Sequence, residues 1–335
     1  MSPYTALLLI PTGIGAAIGG FAGDALPIAR ALAAAVDVLV THPNVLNGAS
    51  LFWPLPNTYY VEGYGLDQWC LGRWALRQVR HNRVGVILDA ALEPDLRQRH
   101  QQVIQAARAT LGLDIRDPVI TDQPVGIRVT HAPSGASQGS LDHPQTLLTA
   151  AQNLLAQGCQ AIAVVTRFPD DLDFTAYDQG QGVDPLAGLE AIISHFLVRE
   201  LNIPCAHAPA LRLDGTPPTS VCDQAAAETV GFTFLPSVLA GLSYAPRFVL
   251  GDPLPSDLTC AQVDVIITPA TACGNAAIVA LMARPDPPLL LSVSDNTTVM
   301  RVTAADLGIP TITVRSYREA IGCVVAHRAG VHLTQ

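Results

Sequence analysis

Six polar clusters follow runs of β-forming residues, and they carry most of the chemistry that this chain can be read to offer. The first lies in IPTGIGAAIGGFAGDALP (10–27), with Gly13, Gly15, Gly19, Gly20 and Asp24. The second, THPNVLNG (41–48), holds His42, Asn44 and Asn47. Asp89 follows VGVIL, and Arg167 precedes the acidic DDLD (170–173). TACGN (271–275) supplies Thr271, Cys273, Gly274 and Asn275, and SDNTT (294–298) supplies Asp295, Asn296 and Thr297. In open α/β sheets ligands bind beyond the carboxyl ends of strands, near helix N-termini. Collected at one such edge, these residues form a rim for a small anionic metabolite, a carboxylate or phosphate.

Proton transfer on such a ligand falls to His42, His207 and Asp24. Cys273 is the candidate nucleophile, because a helix N-terminus lowers a thiol pKa. Each has a plainer reading: a packed histidine, a loop-bracing aspartate, a buried apolar cysteine. His131 also follows a strand-like run, while His195 lies in a helix with strong apolar spacing. With Asp24, Glu62 or Asp89, these histidines make general-base or metal sites conceivable. No pair has HxH, HxxxH or HExxH spacing, so no metal is expected.

Gly13, Gly15 and Gly19 follow a strand as GxGxxxG, a variant of the dinucleotide fingerprint. GGFAG interrupts helix growth, however, and the second strand ends at Thr41-His42 without the acid that holds a ribose. The segment reads better as a wide loop whose glycine N–H groups approach an anion, with Asp24 orienting a donor near the N-cap of a helix. The cofactor is left open.

Strands are expected at 5–10, 36–41, 58–63, 84–89, 125–130, 161–166, 247–251, 263–268, 288–293 and 311–314. Helices are expected at 25–35, 66–80, 94–111, 144–157, 184–201, 274–283 and 299–307. Strands that alternate with helices and read as continuous apolar runs indicate an α/β protein, mainly parallel, with helices on both faces. The stretch THAPSGASQGSLDHPQ (130–145) reads as a loop. It suggests an N-terminal lobe over 1–130, carrying the glycine loop, and a C-terminal lobe over 131–335. DVLVTHPNVLNGAS from Asp37 echoes DVIITPATACGNAA from Asp264, with identities at Asp37/Asp264, Val38/Val265, Thr41/Thr268 and Ala49/Ala276. Two pseudo-symmetric lobes or two ordinary strand–helix units would both produce that echo.

Composition removes several classes. All 19 Lys+Arg residues are arginines, so this chain supplies no amine for a Schiff base with pyridoxal phosphate and no Walker-type lysine. Anions must be met by arginine, backbone N–H groups or helix ends. The net charge of −9 and the lack of a basic run argue against nucleic acid. Charged residues make up 14% against 49% hydrophobic, which suggests a homo-oligomer that hides part of its surface. Seven dispersed cysteines without a CxxC pair suggest reduced thiols in the cytoplasm. The uncharged N-terminus lacks a positive flank and is broken by Pro3, Pro11 and glycines, so no membrane association is expected.

The motifs IPTGIGAAIGGFAGDALP, THPNVLNGA, GVDPLAGLEAIISH, PCAHAPA and SDNTTVM resemble those of an uncharacterised family from cyanobacteria and plant chloroplasts, over nearly the whole chain. The resemblance implies a soluble protein of a photosynthetic lineage and no particular activity. The Cys273 turn is loosely similar to strand-end cysteines of the aspartate/glutamate racemase group, which use two thiols. Here Leu46 stands in the second position. DVIITPATACGNAAIVAL also resembles the Gly-Asn turn of phosphate acyltransferases and their dehydrogenase relatives, whose catalytic lysine is missing. The expected function is that of an enzyme acting on a small anionic metabolite by acid/base or thiol chemistry, of isomerase, lyase or transferase type. The alternative is a ligand-binding or regulatory protein without turnover.

Overall fold

The structure is a computed structural model and describes residues 3–21, 23–46, 51, 53–133, 137–212, 222–227 and 234–333. Its strands are β1 Thr5–Leu8, β2 Val38–Thr41, β3 Thr58–Tyr60, β4 Ala75–Arg77, β5 Val84–Leu88, β6 Val119–Ile120, β7 Ile127–His131, β8 Ser137–Leu141, β9 Ala161–Arg167, β10 Cys205–Ala210, β11 Arg247–Val249, β12 Val263–Pro269, β13 Leu289–Val293 and β14 Ile312–Val314. The main sheet has six parallel strands in the order β14-β13-β12-β1-β2-β3. A second parallel sheet runs β10-β9-β5-β6. Every residue of β1 and β5 is buried, as apolar strands covered on both faces require.

The main sheet takes β1–β3 from the N-terminal part of the chain and β12–β14 from the C-terminal part, while β5, β6, β9 and β10 form the second sheet from the sequence between them. A boundary at 130/131 would fall inside β7. The expected loop at 130–145 is largely a hairpin, in which Val129 pairs with Gly139. From β1 the strand order runs outward in one direction through β2 and β3. It resumes on the other side at β12. Such a switch point opens a crevice between the loops that follow its two central strands, here β1 and β12.

The echo between the segments at Asp37 and Asp264 has a structural counterpart. They begin the two strands that flank β1, and each aspartate accepts from a β1-edge amide. Asp37 takes the Tyr4 N–H at 2.8 Å and Asp264 the Thr5 N–H at 2.7 Å.

Two local expectations give way to tertiary pairing, and one strand forms where none was expected. The helix expected over 66–80 ends at Cys70, and Ala75–Arg77 pairs with β11 instead. The helix expected over 299–307 shrinks to one tight turn at Ala305–Leu307. The preceding residues pair with the loop after β12, through Cys273 N–H to Val302 O at 2.9 Å and Val302 N–H to Thr271 O at 3.0 Å. CAHAPA, with prolines at 204 and 209, looks like poor strand material, yet it lies fully buried beside β9. His207 therefore sits within a strand, not after one.

Candidate functional site

The carboxyl edge of the main sheet gathers the expected rim, but most of its polar groups are used to build the rim. Asp24 accepts the Gly19 N–H at 2.7 Å. Asn44 donates to the Gly19 carbonyl and accepts the Gly23 N–H at its own carbonyl. Asn296 accepts the Ile18 N–H at 2.9 Å, donates to the Ile18 carbonyl at 2.8 Å and donates to the Tyr317 hydroxyl at 2.7 Å. Ala17 N–H goes to the Thr297 carbonyl at 2.9 Å. The segment after β13 thus reaches across β12 and fastens the glycine loop. The expected anion wall is corrected at these positions, because the amides of 17, 18 and 19 already have acceptors within the protein. Asp24 takes up the Gly19 amide, one of the glycine N–H groups expected to face the ligand.

The remaining rim residues hold structure in the same way. Thr271 and Thr298 join their hydroxyls at 2.8 Å. Asn275 caps the helix Ala276–Met282 by accepting the Ala277 N–H at 2.8 Å. Gly274 packs under Val302, and Asp295 pairs with Arg315 at 3.4 Å in an exposed position. Asn47 lies outside the described residues. Gly13, Gly15 and Gly20 remain in the loop, and the Gly20 carbonyl accepts from the Tyr177 hydroxyl at 3.2 Å.

His42 is buried, and its Nε2 accepts the Ile10 N–H at 3.1 Å, which places the ring proton on Nδ1. Burial pulls its pKa down to about 4. The ring ties the end of β1 to the end of β2 and has no free lone pair for a substrate proton. Cys273 is fully buried, and burial pushes its thiol up from the ordinary value, the reverse of an activated thiolate. Under native conditions iodoacetamide is expected to leave Cys273 unmodified at neutral pH, and to label it only after unfolding. Peptide mass spectrometry reads the difference, and rapid native labelling would restore the thiol as a nucleophile.

His207 is the expected acid/base residue with unspent chemistry. It projects from β10 on the same face of the second sheet as Thr166 of β9, and the two share a hydrogen bond through Nε2. Its side chain is 2% exposed, and Nδ1 is buried without a hydrogen-bond partner, 3.6 Å from Glu190 Oε1. Burial holds the ring neutral, with a pKa near 3. Neighbouring Asp89 cannot serve as its partner acid, since its oxygens accept the amides of Ala91, Val125 and Arg167 at 3.0, 3.1 and 3.2 Å.

Glu190 belongs to the helix Ala187–Leu201, which packs on β10, and Asp184 immediately precedes that helix. Asp184 accepts the Leu186 N–H at 2.8 Å, an Asx turn that starts the helix. Burial raises both carboxyls well above the ordinary carboxylate range, and the Glu190 charge raises Asp184 further. One turn along, the helix meets the main sheet. Glu62, just beyond β3, is buried, accepts the Tyr64 N–H at 3.0 Å and lies 3.3 Å from His195 Nε2. Desolvation pushes Glu62 up to about 8, against hydrogen bonds from Ser194 and two backbone amides. His195 is lowered by burial, so the pair is neutral near pH 7.

The glycine loop and this acid cluster meet. A Cβ on Gly15 would stand 2.7 Å from the Gly182 carbonyl and 3.1 Å from Val183, the residue before Asp184. Phe21 stacks on Tyr177 with centroids 4.4 Å apart. The result is a seam between the glycine loop and the segment 177–183, which leads into Asp184 and the helix that carries Glu190. A hollow of about 190 Å³ lies at the far end of β3, against Thr58 and Tyr244, and no acid or histidine lines it.

Sequence reasoning missed Asp184 and Glu190 as chemistry. Glu62 was visible by its place after a strand, as a conceivable partner of a histidine in a general-base or metal site. Among the described residues no group of three His, Cys, Asp or Glu is arranged to hold a metal ion. Nor is any described helix long and apolar enough to cross a membrane.

Comparison with known proteins places the chain in a lineage. An uncharacterized lipoprotein from the cyanobacterium Synechococcus sp. is 52% identical over 334 residues, covering 98% of this chain and 91% of that protein. No solved structure matches. A family described as protein of unknown function (DUF3326) matches residues 5–335. The breadth of that match agrees with the resemblance carried by the glycine loop and the motifs around His207 and Asn296, and the chain belongs to the DUF3326 family.

Proposed function

We propose that this protein is an enzyme that moves protons on a small metabolite bearing a carboxylate or phosphate, in the seam beside its glycine loop. The observation that carries this reading is the cluster of His207, Glu190 and Asp184. It combines an imidazole kept neutral, with one nitrogen unpaired, and two carboxyls that hold protons near neutral pH. Paired groups whose environments push their pKa values away from the ordinary range are the usual means by which one site supplies both an acid and a base. The isomerase or lyase classes fit best. Thiol chemistry is not part of the proposal, since Cys273 is packed away.

Within the Asp184/Glu190 pair, an ionised carboxylate is placed to take a proton from the substrate and the carboxyl that keeps its proton to return one, while His207 Nδ1 accepts a hydrogen bond from the ligand. A bound carbon acid should then exchange C–H for C–D in heavy water. The test incubates the purified protein in D2O with a panel of small carboxylates and phosphorylated metabolites and reads a one-mass-unit gain. Glu190→Gln should reduce exchange by at least about a hundredfold, the usual contribution of a positioned acid or base, and His207→Phe should weaken ligand binding along with exchange. Binding of a panel member without exchange would favour the alternative, a ligand-binding protein.

The seven free cysteines support a reducing compartment, the cytoplasm. The word lipoprotein in the name of the Synechococcus relative favours a second location, lipid attachment at a membrane. Scarce charge supports self-association as part of the same reading.

A further inference from the structure

We propose that the metabolite handled at this seam also carries a primary amine, bound as its ammonium by Asp184, Glu190 and Nδ1 of His207. The inference deepens the proposed function and rests on the same cluster. An ammonium group has three N–H donors and no acceptor. The cluster offers acceptor oxygens on two carboxyl groups, one of them ionised when the ammonium is bound, and, when Nε2–H is given to the Thr166 hydroxyl, one imidazole lone pair at Nδ1. That nitrogen is buried, has no hydrogen-bond partner and lies 3.6 Å from Glu190 Oε1, so in this tautomer the fold has brought an acceptor to an acidic position and left it unmatched. Buried polar groups without partners carry a penalty that a complementary ligand removes.

Among the described residues no arginine is paired with this cluster or with Glu62. Arg167 and Arg212, which lie at the carboxyl edge of the second sheet, are engaged by Glu93, Asp95 and Asp170. The segments 213–221 and 228–233 contain no basic residue, and the chain has no lysine. A divalent cation is the rival occupant, and it is disfavoured because no described trio of ligands has metal-holding geometry. In the free protein the acid pair balances its charge by holding protons. A bound ammonium, with its single positive charge, displaces one of these protons to solvent and leaves the other on the pair.

Thermal shift and titration calorimetry on the full chain test the inference directly, with ethylamine and glycine as probes. Acetate, inorganic phosphate and tetramethylammonium serve as comparisons at equal ionic strength. Ethylamine and glycine should raise Tm by a few degrees, and tetramethylammonium, a cation without N–H donors, should not. The gain should vanish in Glu190→Gln, with Asp184→Asn as the second variant if the first fails to fold. A gain that survives both substitutions, or no gain from either amine, overturns the inference. The two proposals fail separately: amine binding without deuterium exchange removes catalysis, and exchange on a metabolite lacking an amine removes the ammonium site.

Discussion

Raising the pH from 6.5 to about 8 is expected to lower the stability of this protein by on the order of 3 kcal/mol. Glu62 titrates near 8 in the folded chain against an ordinary value of 4.5, and Asp184 and Glu190 are raised in the same sense by burial. The folded state therefore binds more protons than the unfolded chain between the ordinary and the raised values. The associated stability is complete below the ordinary value and is lost as pH climbs through the folded one. Buried His42 and His207 act oppositely, with folded values near 4 and 3 against 6.5. Their stability is complete above 6.5 and is lost as pH falls. Above 6.5 the acids titrate without that opposition, so the decline there has one sign. Urea melts across this range measure it. Glu62→Gln should shrink the decline by about a third, since one of three raised acids is gone. A profile that is flat or rising from 6.5 to 8 would show that these carboxyls are ionised in the folded protein.

Gly19→Val is expected to cost about 3 kcal/mol or more, by two additive mechanisms. Gly19 has φ of +80°, where a β-branched residue is strained by about 1–2 kcal/mol. Its Cβ would also stand 2.7 Å from Ile10 Cγ2 and 2.9 Å from Cδ1, and Ile10 is fully buried. Overpacking of that kind costs about 1–3 kcal/mol. The glycine therefore serves the fold before it serves any ligand, and loss of binding in this variant would accompany loss of stability. Gly112→Ala is the control. Gly112 has φ of +65° with nothing within 4 Å of a new Cβ, so only the backbone term of about 1 kcal/mol applies. If Gly19→Val melts in urea no earlier than Gly112→Ala, the packing argument for the loop is wrong.

The sequence alone determined the class of the fold, because strand and helix patterns are local. TALLLI, VGVILD and VDVIIT are apolar throughout, and only strands covered on both sides satisfy that pattern while carrying the chain between helices. The same locality placed the glycine loop, His42, the Cys273 turn and Asn296 at the ends of strands. It showed the Asp37 and Asp264 echo, which corresponds to the two strands flanking β1. The absence of lysine excluded amine chemistry by this chain without any structure at all.

Tertiary structure decided which of those residues have chemistry left to spend. His42, Asp24, Asn44 and Asn296 look functional as isolated side chains, and they turn into braces once the Ile10, Gly19 and Ile18 backbone groups arrive beside them. Those partners come from other loops and strands, and no periodicity records them. The reverse holds for Asp184 and Glu190, which read as ordinary polar residues along the chain, and in part for Glu62, whose burial the chain does not record. They acquire raised pKa values because the second sheet, the helix Ala187–Leu201 and the end of β3 close around them and remove water. Desolvation depends on every element that surrounds a group, and the chain between Glu62 and Glu190 runs through β5, β6 and β9 of the second sheet before those elements meet.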